Sequence, residues 1–186
     1  TPVSVRRRER VAWTLLAIAT LALVALATPA TLYIRRTEPE SVVTRLDVVT
    51  PPTTDVFSFA LSPDGRQLVF VASGEKGSQL WLRPLDQTSA QPLASTEGAA
   101  FPFWAPNGRA VGFFADGKLK RINMTVGAVQ VLADAPVPRG GTWNAEGIII
   151  FAPATNGALM RVAARGGAVT PVTQLASGQG SHRWPQ

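Results

Sequence analysis

A short turn-forming motif recurs through most of this chain and sets what it can fold into. Leu61-Ser62-Pro63-Asp64-Gly65 returns as Trp104-Ala105-Pro106-Asn107-Gly108 and, altered, as Trp143-Asn144-Ala145-Glu146-Gly147. A fourth copy opens at Trp184. The lead residues Leu61, Trp104, Trp143 and Trp184 are 43, 39 and 41 positions apart. A period near 40 is that of a β-propeller blade, about 40–45 residues for four strands. Pro63 and Pro106 stand where a turn wants φ near −65°, and Gly65, Gly108 and Gly147 where it wants φ positive. That is a type I turn closed by a bulge glycine. Asp64, Asn107 and Glu146 share one position in the motif, which makes them turn markers before they are candidates for chemistry. Trp104, Trp143 and Trp184 share another, and their expected role is packing between blades.

Other landmarks keep the same period. Leu80, Leu119 and Leu159 are 39 and 40 apart, and so are Leu93, Leu132 and Val172. Between the turns lie apolar runs such as Gln67–Ala72, Ala110–Phe114 and Ile148–Phe151, suited to strands covered on both faces. Asp116-Gly117 is a strong two-residue hairpin signal, and Asn156-Gly157 marks a further turn. Helical spacing is absent after residue 40, and Gly and Pro punctuation is dense. The expectation is an all-β partial propeller over 56–186, with blades at about 56–98, 99–137 and 138–178 and the start of another at 179–186. Propellers close with typically four to eight blades. With Thr1 in place of an initiator Met, the expectation is an internal piece of a longer protein.

The first 55 residues differ in kind. Residues 11–34 carry no charge and are rich in Ala and Leu. At about 1.5 Å per residue, a helix of that length crosses an apolar layer of about 30 Å. Trp13 and Tyr33 sit near its two ends, where amphipathic rings anchor. Arg6, Arg7, Arg8 and Arg10 precede it in the basic juxtamembrane segment 1–10, and Arg35 and Arg36 follow, diluted by Glu38 and Glu40. This bias predicts one transmembrane helix with a cytoplasmic N-terminus. A cleaved signal peptide ending near Ala25-Leu26-Ala27 is the alternative. Residues 35–55 read as a linker and one strand at 43–49, which would complete the last blade of a closed ring.

The formal net charge of +6 does not point to nucleic acid. The first 40 residues hold six Arg against three Glu, so half of the excess flanks the apolar run, and the rest is scattered. With no cysteine and one histidine, His182, neither a thiolate nor a usual zinc site can be assembled, and no Ser-His-Asp triad is evident. No catalytic, cofactor or metal residues are assigned.

The segments FALSPDGRQLVFVASG, LWLRPLD, FPFWAPNGRAVGFFADGKLKRI, RGGTWNAEGIIIFAP and SHRWPQ resemble the WD-type (WD40-like), TolB-like propeller repeats of bacteria, over about 43–186. Basic run, apolar span and repeat array together are similar to the C-terminal half of bacterial membrane-anchored serine/threonine protein kinases. That resemblance implies a kinase domain before Thr1, with ATP and Mg there only. It also implies a propeller outside the bacterial cytoplasmic (inner) membrane that senses or binds a protein or peptide. The kinase motifs themselves are not in this chain; Ala115-Asp116-Gly117 is a hairpin turn. A TolB-like envelope scaffold, a propeller fused to a membrane-tethered DNA-binding regulator, and the propeller of an exported serine peptidase are the other readings.

Overall fold

The computed structural model describes residues 50–53, 55–75 and 77–185, together with Trp13, Leu15, Leu16, Ile18, Thr20, Leu21 and Ala25. The chain divides into two units, Thr1–Asp47 and Val48–Gln186. In the first, the seven described residues are helical, and the Thr20 hydroxyl donates to the Leu16 carbonyl at 3.0 Å. Among the described residues no helix is long and apolar enough to cross a membrane. The expected span 11–34 lies mostly, and the segment 1–10 and the strand at 43–49 lie wholly, outside the described residues.

The second unit is built from three antiparallel four-stranded sheets. The first contains β1 (Phe59–Leu61), β2 (Gln67–Gly74), β3 (Gly77–Pro84) and β4 (Gln91–Pro92). The second contains β5 (Ala100–Trp104), β6 (Ala110–Ala115), β7 (Lys118–Asn123) and β8 (Val129–Asp134). The third contains β9 (Gly141–Trp143), β10 (Ile148–Phe151), β11 (Met160–Ala163) and β12 (Thr170–Pro171). Each is a meander in sequence order, the pattern of a propeller blade.

The core lies between sheets. Every residue of β6 is buried, because the second sheet has a neighbour on both faces. The pleat sends Val111, Phe113 and Ala115 into one cluster with Val69, Val71 and Leu80. Phe114 goes to the other, with Leu119, Ile149, Phe151 and Val162. Trp104 joins the first cluster and donates its indole N–H to the Ala60 carbonyl at 3.0 Å, tying the second sheet to the first. Trp143 packs half-buried against the second cluster.

Two threonine hydroxyls pair with the backbone beside the outer strands. Thr96 is fully buried; its hydroxyl accepts from the Leu80 N–H at 3.0 Å and donates to the Leu93 carbonyl at 2.6 Å. Thr173 takes the same part in the third sheet, accepting from the Leu159 N–H at 2.9 Å. Two polar side chains thus hold the third and fourth strands of two blades in matching register.

One hairpin departs from the sequence reading. Asp116-Gly117 is a two-residue turn with φ of 54° and 68°. Asn156-Gly157 does not close a tight hairpin, because β10 ends at Phe151 and β11 begins at Met160. Gly157 instead bridges in parallel to Ser181, its N–H donating to the Gly180 carbonyl and its carbonyl accepting from His182 N–H. A second chain segment has taken the hydrogen bonds a tight turn would have used.

Candidate interaction surface

The three repeat turns lie at the β1–β2, β5–β6 and β9–β10 connections and therefore mark one rim of the sheets. Gly65, Gly108 and Gly147 have φ of 70°, 68° and 76°, and their N–H groups donate to the carbonyls of Ser62, Ala105 and Asn144. Pro63 and Pro106 occupy the exposed corners of the first two turns. Asp64 accepts from the Arg66 N–H at 3.1 Å, and Asn107 from the Arg109 N–H at 3.0 Å. Glu146 does not repeat this. It accepts at 2.5 Å from the amide of Asn144, whose own oxygen accepts from the Ile148 N–H. The third turn lacks the residue that follows glycine in the other two, so the cap passes to Asn144, which the motif alone did not single out.

Asp64 has its pKa lowered, first by the Ser62 hydroxyl donating to its carboxylate and next by the Arg66 N–H. A carboxyl whose folded pKa is depressed stabilises the fold above its unfolded pKa and loses that contribution as pH falls through the folded value. Asp64→Asn keeps the cap, as Asn107 does, but does not titrate. The expected result is a thermal midpoint that falls less for the variant than for the wild type between about pH 5 and pH 2. Identical slopes would show that Asp64 contributes nothing to acid stability.

The first strands β1, β5 and β9 adjoin one another along one edge of the array. There a cleft of about 260 Å³ is lined by Phe57, Phe59, Phe101, Pro102, the pair Gly140-Gly141, and Trp184-Pro185. Phe57 and Phe59 are 85% and 57% exposed. Phe101 sits in a register shift of β5 at φ 48°, a region bulky residues rarely enter, with its N–H donating to the buried Ser58 hydroxyl at 3.1 Å. The shift turns its ring into the cleft.

Trp184, whose expected role is packing between blades, lies beside the third sheet, its backbone N–H donating to the Arg139 carbonyl at 3.0 Å. It is 54% exposed and stands edge-on to Phe101 with ring centroids 5.2 Å apart. The reason is the space over Gly140, where a Cβ would fall 2.8 Å from the indole. The neighbouring His182 is occupied structurally, with Nδ1 2.8 Å from the Thr173 hydroxyl and Nε2 3.1 Å from the Gln179 side-chain oxygen.

Among the described residues no titratable side chain lines the cleft. Among the described residues no three His, Cys, Asp or Glu side chains are grouped to hold a metal ion. The arrangement offers aromatic faces and proline edges to a ligand, and no acid, base or nucleophile.

No protein-family model matches the chain, and no curated protein sequence matches it. Solved structures do. A putative TolB from Agrobacterium tumefaciens superposes with a TM-score of 0.57 at 18% identity, over 64% of this chain and 46% of that one. TolB from Acinetobacter baumannii gives 0.55 at 18%, over 65% and 33%. The β-propeller domain of Cps50 (Swd1) from Myceliophteria thermophila gives 0.51 at 13%, over 67% and 41%. The chain spans less than half the length of each. At such identities the likeness shows the fold, a partial β-propeller of TolB-like and WD40-like form.

Proposed function

We propose that this chain is a non-catalytic propeller segment that binds a protein or peptide partner. The observation that carries the reading is the cleft along β1, β5 and β9, where Phe57, Phe59 and Trp184 are exposed and the described residues supply no reactive group. Exposed aromatics gathered in one place mark interaction sites, since isolated ones are common on surfaces but clusters are not.

The setting we propose is a bacterial receptor-type serine/threonine protein kinase. The uncharged run 11–34 is the single membrane span, with Arg6, Arg7, Arg8 and Arg10 holding the N-terminus in the cytoplasm and the propeller outside the inner membrane. The kinase domain, with its ATP and Mg, belongs before residue 1. Two measurements test this. Alkaline phosphatase fused after Gln186 should be active and a fluorescent protein there dark; the reverse overturns the orientation. The reading frame before Thr1 should encode a Gly-rich phosphate loop and a His-Arg-Asp loop. A start codon or a DNA-binding domain there would overturn the kinase reading in favour of a TolB-like scaffold or a tethered regulator.

A further inference from the structure

A groove of about 480 Å³ runs between the second and third sheets at the rim of the repeat turns. Its polar lining comes from Asn107, Arg109, Arg121, Asn123 and Asn144, its apolar wall includes Trp143, and among the described residues no Asp or Glu lines it. What distinguishes it is the direction of its hydrogen-bonding groups.

The Asn107 oxygen accepts from the Arg109 N–H at 3.0 Å. The Asn123 oxygen accepts from the N–H groups of Thr125 at 2.9 Å and Val126 at 3.2 Å. A backbone N–H admits only the oxygen of an amide, so both orientations are fixed and both amide NH₂ groups are left over. Among the described residues neither NH₂ has a partner, and the Arg109 guanidinium has no hydrogen bond or ion pair. Arg121 donates its Nε–H to Gln130 at 3.0 Å, and Gln130 donates to the Arg165 carbonyl of the third sheet at 3.2 Å. One guanidinium is therefore held by a bridge between the two sheets that form the groove.

At Asn107 and Asn123 the amide oxygens are spent on the turns and the amide NH₂ groups are not, whereas Asn144 spends its NH₂ on Glu146. We infer that this groove binds an acidic peptide segment of a protein partner. A carboxylate would lie against Arg109 and Arg121, amide donors from Asn107 and Asn123 beside it, and a neighbouring apolar side chain against Trp143. Charge-assisted, forked contacts of this kind are the strong ones for a carboxylate. A polyanion fits less well, because the groove offers two guanidiniums and no lysine among the described residues. The inference rests on the partner-binding reading above but uses a different surface.

The test uses the full chain in detergent micelles and a short fluorescent peptide of alternating Glu and Gly. Peptides with Gln or Lys in place of Glu serve as controls. Two paired variants are made. Arg109→Gln with Arg121→Gln removes the charge. Asn107→Asp with Asn123→Asp keeps the oxygens that cap the turns, as Asp64 does at the matched position, and replaces the donors by carboxylates. The Glu peptide should bind better than either control, and each variant pair should weaken it by at least about tenfold, the effect of losing one or two charge-assisted bonds. Circular dichroism should be unchanged for the Asp pair. Equal binding of the Gln peptide, wild-type binding by both variant pairs, or displacement by inorganic phosphate at equal concentration would overturn the inference. Any of those outcomes leaves the aromatic cleft, and the partner-binding reading built on it, untouched; serine substitutions at Phe57 and Phe59 should leave the Glu peptide bound.

Discussion

Phe103→Ala is expected to lower the stability of the folded unit by about 3–5 kcal/mol, the range for emptying a buried aromatic site. Phe103 is 8% exposed and lies in the cluster between the second and third sheets, beside Phe114 at 6.1 Å between ring centroids. Two glycines form its slot. A Cβ on Gly112 would fall 2.3 Å from the ring, and a Cβ on Gly141 2.7 Å from it. The ring thus sits directly on the backbones of β6 and β9, and little in its surroundings can collapse to fill the space it leaves. For a domain whose total stability is about 5–15 kcal/mol, the loss is a large fraction. Urea unfolding followed by tryptophan fluorescence measures it. Gly112→Ala alone should also destabilise, by about 1–3 kcal/mol, because the ring must move. Combined with Phe103→Leu it should cost less than the sum, a coupling of about 0.5–3 kcal/mol. A cost below about 1 kcal/mol for Phe103→Ala would mean that the two sheets are not clasped through this ring.

The same contact shows where sequence was legible and where it was not. Turn chemistry and the blade period place the strands well. The expected apolar run Ile148–Phe151 is β10 as it stands, and Ala110–Phe114 is β6 less one residue. These follow from local rules, proline and glycine at fixed turn positions and a run of apolar residues between them. The glycines at 112 and 141 are a different matter. No turn rule marks them, and only the approach of Phe103 from the same and the adjoining sheet shows that an absent side chain is what is needed. Trp184 was out of reach for the same reason, since its place depends on a gap over Gly140 and on the Phe101 bulge. So was the donor-lined groove. Arg109, Arg121, Asn107 and Asn123 carry no common motif, and they meet because two hairpin ends stand side by side.

The unit Val48–Gln186 expressed alone is expected to self-associate. Each inner face between sheets is dry, yet Phe59 and Leu61 of the first sheet are more than half exposed, and Val172 and Leu175 beyond the third sheet are partly so. Covering such side chains stabilises by about 1.5–3 kcal/mol each for full burial, so a few of them suffice for association in the micromolar range. Three sheets are fewer than the four to eight that close a propeller, and an unclosed array keeps two faces open to other copies or to further blades. Sedimentation velocity over a hundredfold range of concentration measures the effect. The weight-average mass should rise with concentration. Phe59→Ser with Leu61→Ser, placed on the first sheet and away from both inter-sheet clusters, should shift the association by at least about tenfold to higher concentration. Further blades supplied on the same chain should weaken it by covering Leu61, Val172 and Leu175. A strictly monomeric unit that melts in one cooperative transition would show instead that these faces are stable in water as they are, and that the three sheets form a finished domain rather than part of a ring.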